Sequence, residues 1–340
     1  MQFVIFAYAN VAQPDKTSGR FQEMADHWHD ISGMSDEAAV QLIGANKIDV
    51  LVDLAGRSKN HRLGIFRRKP APIQISWLGY PGTTGVPAID YRITDTTADP
   101  IGPADDHHAE TLLRLDGVFH CYTPPDSSPK PAPSPVSRNG YITFGSFNNL
   151  AKVSGDTIAV WSDILRQTPQ SVLLLKSLSL ESQESRDTIL EAFNARGIDA
   201  NRIKLTGWIP QSKTPLAAYH QIDIALDTFP YNGTTTTFEA LWMGVPVVTV
   251  AGNRHAGRVG ASILGALELG DLVALTTADY IAACTFLARD TKKLDSLRRS
   301  LRIRLQESTL MDGAGFTRKM EGALRQTWRD WCAKPAGARL

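Results

Sequence analysis

Between residues 141 and 250, apolar β-type runs alternate with helical patterns. The runs are Tyr141 to Phe147, Ser171 to Leu175, Arg202 to Thr206, Ile222 to Leu226 and Val247 to Val250. Helical patterns fall near 155–166, 181–196, 214–220 and 237–243. Alternation at this spacing predicts a parallel, doubly wound α/β sheet, whose ligands bind at the carboxyl ends of the strands. Two polar stretches fall at such ends, "FGSFNNLAKVS" after the first strand and "PYNGTTTT" after the fourth. The first half is α/β as well, with strands predicted at 3–9, 48–54 and 73–78 and helices near 17–31, 36–46 and 60–68. A last helical pattern, about 315–332, carries Phe316, Met320, Leu324, Trp328 and Trp331 on a face predicted to be core. Residues 121–140, rich in Pro and Ser, read as a semi-stiff linker. The expected division is therefore 1–120, a linker at 121–140, and 141–332.

The most informative stretch is "PYNGTTTTFEALWMGVPVV", residues 230–248. Thr236 and Glu239 have capping-box spacing, Thr236 accepting from a free amide and Glu239 reaching back. Phe238, Leu241 and Trp242 recur at helical spacing, Gly244 supplies the stop, and Val247 to Val250 reads as a strand buried on both faces. Capping leaves Gly233, Thr234 and Thr235 unexplained. A helix start with free N–H groups, a glycine and spare hydroxyls also suits an anion, most often phosphate. Local chemistry leaves both readings open.

The length of 340 residues suggests two domains, and a net charge of +1 provides no global field for nucleic acid or a membrane surface. A charged ligand would have to be held locally. Cys121, Cys284 and Cys332 form no framework and read as free, buried thiols in a reducing compartment. No apolar run approaches a membrane span, and the opening "MQFVIFAYAN" lacks a basic region and a cleavage site, so a cytoplasmic protein is expected. Walker, dinucleotide-binding, zincin and nucleophile-elbow motifs are absent, as is a D-x-D pair. His27 and His29, two apart on a predicted helix, cannot share a face, and His107 and His108 read as surface loop. No metal site emerges.

Six segments occur in order: "IDVLVDLAG", "APIQISWLGYPGTTG", "IDYRITD", "FNNLAKVS", "ALDTFPYNGTTTTFEALWMGVPVVT" and "GRVGAS". Together they resemble the catalytic region of the protein O-GlcNAc transferase family, in its bacterial SPINDLY-like branch, over almost the whole chain. The resemblance implies a GT-B architecture of two Rossmann-like doubly wound domains facing a cleft. It further implies a UDP-GlcNAc donor, inversion at the anomeric carbon, transfer to Ser or Thr hydroxyls of a protein acceptor, and no cofactor or metal. By the same resemblance, Gly233, Thr234, Thr235 and Thr236 bind the donor pyrophosphate and Glu239 holds the ribose. Lys152 neutralises the diphosphate as UDP leaves, with Asn149 beside it as a donor-binding amide. Leu78, Gly79, Tyr80, Pro81, Gly82 and Thr83 form a glycine-rich loop facing sugar and phosphate, although the residues alone also fit an ordinary Pro-Gly turn.

The chain departs from the family at Arg57, where bacterial relatives often have His, and at Pro215, where a His near the base is expected. It also starts at what reads as the family's second strand, without the tetratricopeptide repeats, which suggests a truncated form. Alternatives are a GDP-fucose-dependent protein O-fucosyltransferase, a nucleotide-binding remnant without catalysis, and another GT-B enzyme acting on a lipid or small molecule. Asp49, Asp53 and Asp90 lie in the matched segments, where structural roles are expected.

Overall fold

The computed structural model describes residues 3–209 and 215–335. Strands β1 (Phe6–Ala9) and β2 (His27–Asp30) pair in parallel, Phe6 beside His27 and Tyr8 beside His29. Between them, helix α1 (Lys16–Met24) begins at a reciprocal cap: Ser18 N–H donates to the Asp15 carboxylate and Asp15 N–H donates to the Ser18 hydroxyl. The helix expected across 17–31 stops at Met24, because Ala25 is extended and Ile5 N–H donates to Asp26 at 2.8 Å, directing the chain into β2. His27 and His29 therefore lie on a strand, where residues two apart share a face. They stack on Phe6 and Tyr8, with centroids 4.2 and 5.3 Å apart.

Helix α2 (Asp36–Ala45), capped by Ser35, leads to β3 (Val50–Asp53), α3 (Leu63–Arg67), β4 (Ile73–Ser76), β5 (Tyr91–Thr94) and β6 (Thr111–Arg114). These four strands form one sheet in the order β3-β4-β5-β6. Ile31, Ile43, Leu51, Leu63, Phe66 and Ile89 make the core beside it.

Next come α4 (Val136–Asn139), β7 (Thr143–Ser146), α5 (Gly155–Gln167), β8 (Val172–Lys176), α6 (Gln183–Asn194), β9 (Ile203–Thr206) and β10 (Ile224–Leu226). They are followed by α7 (Thr235–Trp242), β11 (Val247–Val250), α8 (Val259–Gly265), β12 (Val273–Ala274), α9 (Thr277–Arg289), α10 (Thr291–Glu307) and α11 (Gly313–Ala333). The expected helix at 214–220 is a 3-10 segment, Pro215–Gln221, with Thr214 outside the described residues. The sheet order is β12-β11-β10-β7-β8-β9 with parallel pairing. Strand order reverses between β7 and β10, and a doubly wound sheet opens a crevice at the carboxyl ends of that pair.

Packing divides the chain into two compact units. One holds the residues up to Ile93, Asp105–Leu113 and the chain from Glu321 onward, and the other holds Thr94–Ala104 and Arg114–Met320. The stretch 121–140 lies wholly in the second unit and is fastened to it. Buried Asp223 accepts from the Ser134 hydroxyl and from Val136 N–H (3.0 Å), Arg298 donates to the Ala132 carbonyl (2.7 Å) and Arg302 to that of Pro129 (2.6 Å). On α11 only Thr327 is buried, so the apolar face expected to be core is half-buried instead. Of the three thiols Cys284 is buried, Cys121 partly so and Cys332 exposed, which corrects the expectation of three buried ones. No described helix is long and apolar enough to cross a membrane.

The core of the second unit includes Trp161 of α5, fully buried, with its indole N–H donating to Tyr280 of α9 at 3.3 Å. Trp161→Ala should cost about 3–5 kcal/mol, from lost burial plus a cavity. Urea unfolding measures this, and a loss below about 1 kcal/mol would show that the site collapses or is less tightly packed than described.

Candidate functional site

The reversal between β7 and β10 brings the loops after both strands together in the second unit. The key residue is Asp227, directly after β10, whose carboxylate is buried. It accepts from Gly233 N–H (2.7 Å), Thr228 N–H (2.9 Å), the Thr249 hydroxyl (2.7 Å) and the Asn148 side-chain amide (3.2 Å). Burial still pushes its pKa up to about 6, because desolvation outweighs these donors and the nearby Lys152 charge. Asn148 also donates to the Thr228 hydroxyl (3.1 Å) and accepts from that of Thr236 (2.5 Å). A side chain at Gly233 has no room: a Cβ there would lie 2.5 Å from Thr236 Oγ1 and 2.7 Å from Asn148 Oδ1.

This network rewrites the helix start. Thr234, the residue before α7, makes no side-chain cap, and Thr236 bonds to Asn148 rather than to the helix backbone. Glu239 accepts from the Tyr219 hydroxyl at 2.9 Å, so the expected capping box is not formed. The Gly233 amide is taken by Asp227 and does not face a ligand. The first intrahelical bond is Phe238 N–H to the Thr234 carbonyl, and the amides of Thr235, Thr236 and Thr237 find no acceptor among the described residues. Thr235 is exposed. Free amides and partial positive charge at one helix end suit an anion.

Lys152 lies in the short 3-10 turn Leu150–Lys152 after β7. Asn149 starts that turn, accepting from Ala151 N–H at 3.0 Å, and is otherwise exposed. Lys152 Nζ donates to the Asn232 carbonyl (2.8 Å) and stands 3.8 Å over the Tyr231 ring. Burial lowers its pKa while the Asp227 charge opposes the shift. Lys152, Asn149 and the Gly233–Thr236 run are thus brought to one place, and Glu239 follows one helical turn on. Burial pushes the Glu239 carboxyl up, opposed by the Tyr219 hydrogen bond and by the Lys176 ammonium.

In the first unit the loop Leu78–Thr83 has a built shape. Leu78 has a φ of +69°. Gly79 passes so near β3's exit that a Cβ would lie 2.1 Å from the Leu54 carbonyl. Arg92 donates to the Tyr80 carbonyl (2.8 Å), the Thr83 hydroxyl donates to Glu110 (2.7 Å), and Arg57 Nε donates to the Thr84 carbonyl (3.0 Å). Pro81 and Gly82 stay partly exposed. Arg57 therefore shapes this loop. Asp53 accepts from Ala55 and Gly56 N–H, and Asp90 from Gln74 N–H and Lys69, both as turn and strand scaffold. The "GRVGAS" segment lies in a buried network of the second unit, in which Ser262 donates to Asp95 (2.6 Å) and His255 meets Asp99 (2.6 Å).

Sequence reasoning missed Asn148, Asp227, Tyr219, Tyr231 and Lys176. The available signal was position, since Asn148, Asp227 and Lys176 all stand at the carboxyl ends of predicted strands.

Two Rossmann-like α/β units with parallel sheets and loops gathered at strand ends define a GT-B fold. The chain belongs to glycosyl transferase family 41, whose pattern it matches over residues 1–121 and 137–320. It is 41% identical over 334 residues to the tomato (Solanum lycopersicum) probable UDP-N-acetylglucosamine–peptide N-acetylglucosaminyltransferase SPINDLY, covering 97% of this chain and 36% of that protein. The Arabidopsis thaliana protein SEC, named for the same probable activity, is 31% identical over 344 residues, with 97% and 34% covered. The chain thus spans roughly a third of the length of these curated relatives. Among solved structures it is similar to a mutant O-GlcNAc transferase of Thermobaculum terrenum, with a TM-score of 0.91 and 36% identity over 96% of this chain and 62% of that one. The fold is shared with Anabaena HepE, solved with UDP and glucose, at a TM-score of 0.56 and 15% identity over 92% of this chain and 90% of that one.

Folding raises the Asp227 pKa from 3.8 to about 6, so between those values the folded state holds a proton that the unfolded chain has released. The contribution of this group to stability is therefore greatest below about pH 4, falls as pH rises through about 6, and is level above. Asp227→Asn keeps an acceptor for Gly233 and Thr228 and should flatten that fall in urea titrations from about pH 4 to 7. Equal slopes in both proteins would contradict the assignment.

Proposed function

We propose that this chain is the catalytic region of a metal-independent, inverting transferase that moves GlcNAc from UDP-GlcNAc to Ser or Thr hydroxyls of a protein acceptor. One observation carries the reading: the Lys152 ammonium is held against the Asn232 carbonyl and the Tyr231 ring, on the loop that leads into the free amides of Thr235 and Thr236. A diphosphate at that helix end meets fixed N–H donors, the Thr234 and Thr235 hydroxyls and one positive charge. As the bond from the anomeric carbon to the diphosphate oxygen breaks, its electron pair stays with UDP and negative charge grows on that oxygen. A lysine fixed beforehand stabilises this charge more in the transition state than in the ground state, and can serve where other transferases use a cation. Attack by the acceptor hydroxyl from the opposite face forms the new bond and inverts the anomeric carbon, and the hydroxyl proton is released to solvent. The relatives named for transfer to peptides support this acceptor class. In this reading Glu239 accepts from the ribose and Asn149 lies beside the diphosphate.

Calorimetric titration of UDP and GDP into the chain, alongside Lys152→Ala, tests the reading. UDP should bind in preference to GDP, the variant should bind UDP about tenfold or more weakly, and its transfer rate should fall by about 10²-fold or more. Preference for GDP would move the donor to GDP-fucose. Binding of neither nucleotide by the folded chain would end the donor-site assignment.

A further inference from the structure

Lys176 is the last residue of β8, the strand beside β7, and so stands at the carboxyl end of the sheet, next to the loops described above. It is half-buried, yet its ammonium has no hydrogen bond or ion pair among the described residues. Its nearest recorded neighbour is the Phe147 ring, 5.4 Å from the centroid, and the Glu239 carboxylate is within electrostatic reach but not in ion-pair contact. Glu239 is equally incomplete: the Tyr219 hydroxyl fills one oxygen at 2.9 Å, and the other has no partner among the described residues. Tyr219 itself is buried, its ring packed on Phe147 with centroids 4.6 Å apart. A half-buried cation and carboxylate within electrostatic reach of each other but not in ion-pair contact are best satisfied by a group that accepts from one and donates to the other. A hydroxyl does both, and a vicinal diol presents two hydroxyls at once.

We infer that Lys176 and Glu239 grip the ribose diol of the nucleoside diphosphate from two sides, the ammonium donating to a hydroxyl oxygen and the carboxylate accepting a hydroxyl proton. This rests on the donor-site reading above and adds Lys176 as a ligand contact. Placement agrees with it: Glu239 lies one turn, about 5.4 Å, beyond Thr235 along α7, which suits the step from a diphosphate to the sugar that bears it. Since ribose is common to both nucleotides, the contact is indifferent to the base. Tyr219 holds the carboxylate in position for it.

The test is calorimetry on the full chain with UDP and with 2′,3′-dideoxy-UDP, for wild type, Lys176→Met and Lys176→Arg, each checked for an unchanged thermal melt. Wild type should bind the dideoxy analogue about tenfold or more weakly than UDP, as expected for lost charge-assisted hydrogen bonds. Lys176→Met should weaken UDP by about tenfold while leaving the dideoxy analogue within about twofold, and Lys176→Arg should recover most of the loss. Equal weakening of both ligands would make Lys176 a general electrostatic neighbour and overturn the inference, as would UDP binding unchanged in Lys176→Met. In either case the donor site stands. If wild type binds neither UDP nor GDP, the donor-site reading fails and takes this inference with it.

Discussion

Asp227 is buried inside the second unit, where an ionised carboxylate needs several donors at once. Its four donors come from Asn148 after β7, Thr228 after β10, Gly233 before α7 and Thr249 in β11. One anion thereby fixes the relative position of the two loops at the strand reversal and of the helix start between them. Asn148 extends the network to the Thr236 hydroxyl, so the first turn of α7 is also held from the β7 side. The candidate site is rigid because its supports converge on a group that is costly to leave unsatisfied.

The four threonines at the start of α7 divide by direction. Thr236 and Thr237 turn inward, to Asn148 and to the Gly233 carbonyl at 3.2 Å. Thr234 and Thr235 make no such bonds among the described residues and are left with the open amides of the first turn. An ordinary helix would satisfy that turn with its own cap. Here the side chains that could cap it are held by tertiary partners, so the helix end remains unsatisfied and retains its attraction for an anion.

The same competition explains where the sequence could be read and where it could not. Strands β7 to β11 were legible because each is a short apolar run buried in a parallel sheet, a pattern set by local composition. The capping box was misread because Asn148 and Tyr219, distant in sequence, claim Thr236 and Glu239. α1 buries no residue, so its apolar spacing carried no information about where it ends, and β2, with the sequence HWHD, hides inside a helical pattern. The Pro- and Ser-rich stretch correctly signals little regular structure, but composition cannot show that Asp223, Arg298 and Arg302 tie it to one unit. At the site, position at strand ends marked the two stretches that hold Lys152 and the threonine run, while Lys152 itself was singled out only by the family resemblance. Asn148 was passed over for its neighbour Asn149, since nothing local tells which of two adjacent amides turns inward.

Lys152 connects the scaffold to the proposed chemistry. Its charge is weakened by burial and supported by Asp227, and the Asp227 charge is in turn supported by Lys152. A lysine balanced in this way is not fully neutralised, because the carboxylate already divides its interaction among four other donors. In the proposed donor site a diphosphate would meet a cation whose supporting carboxylate has other donors, and whose position is fixed by the Asn232 carbonyl and the Tyr231 ring rather than by the ligand. Such a group needs little reorganisation when charge shifts onto a leaving phosphate, which is the condition for electrostatic stabilisation to favour the transition state over the bound substrate.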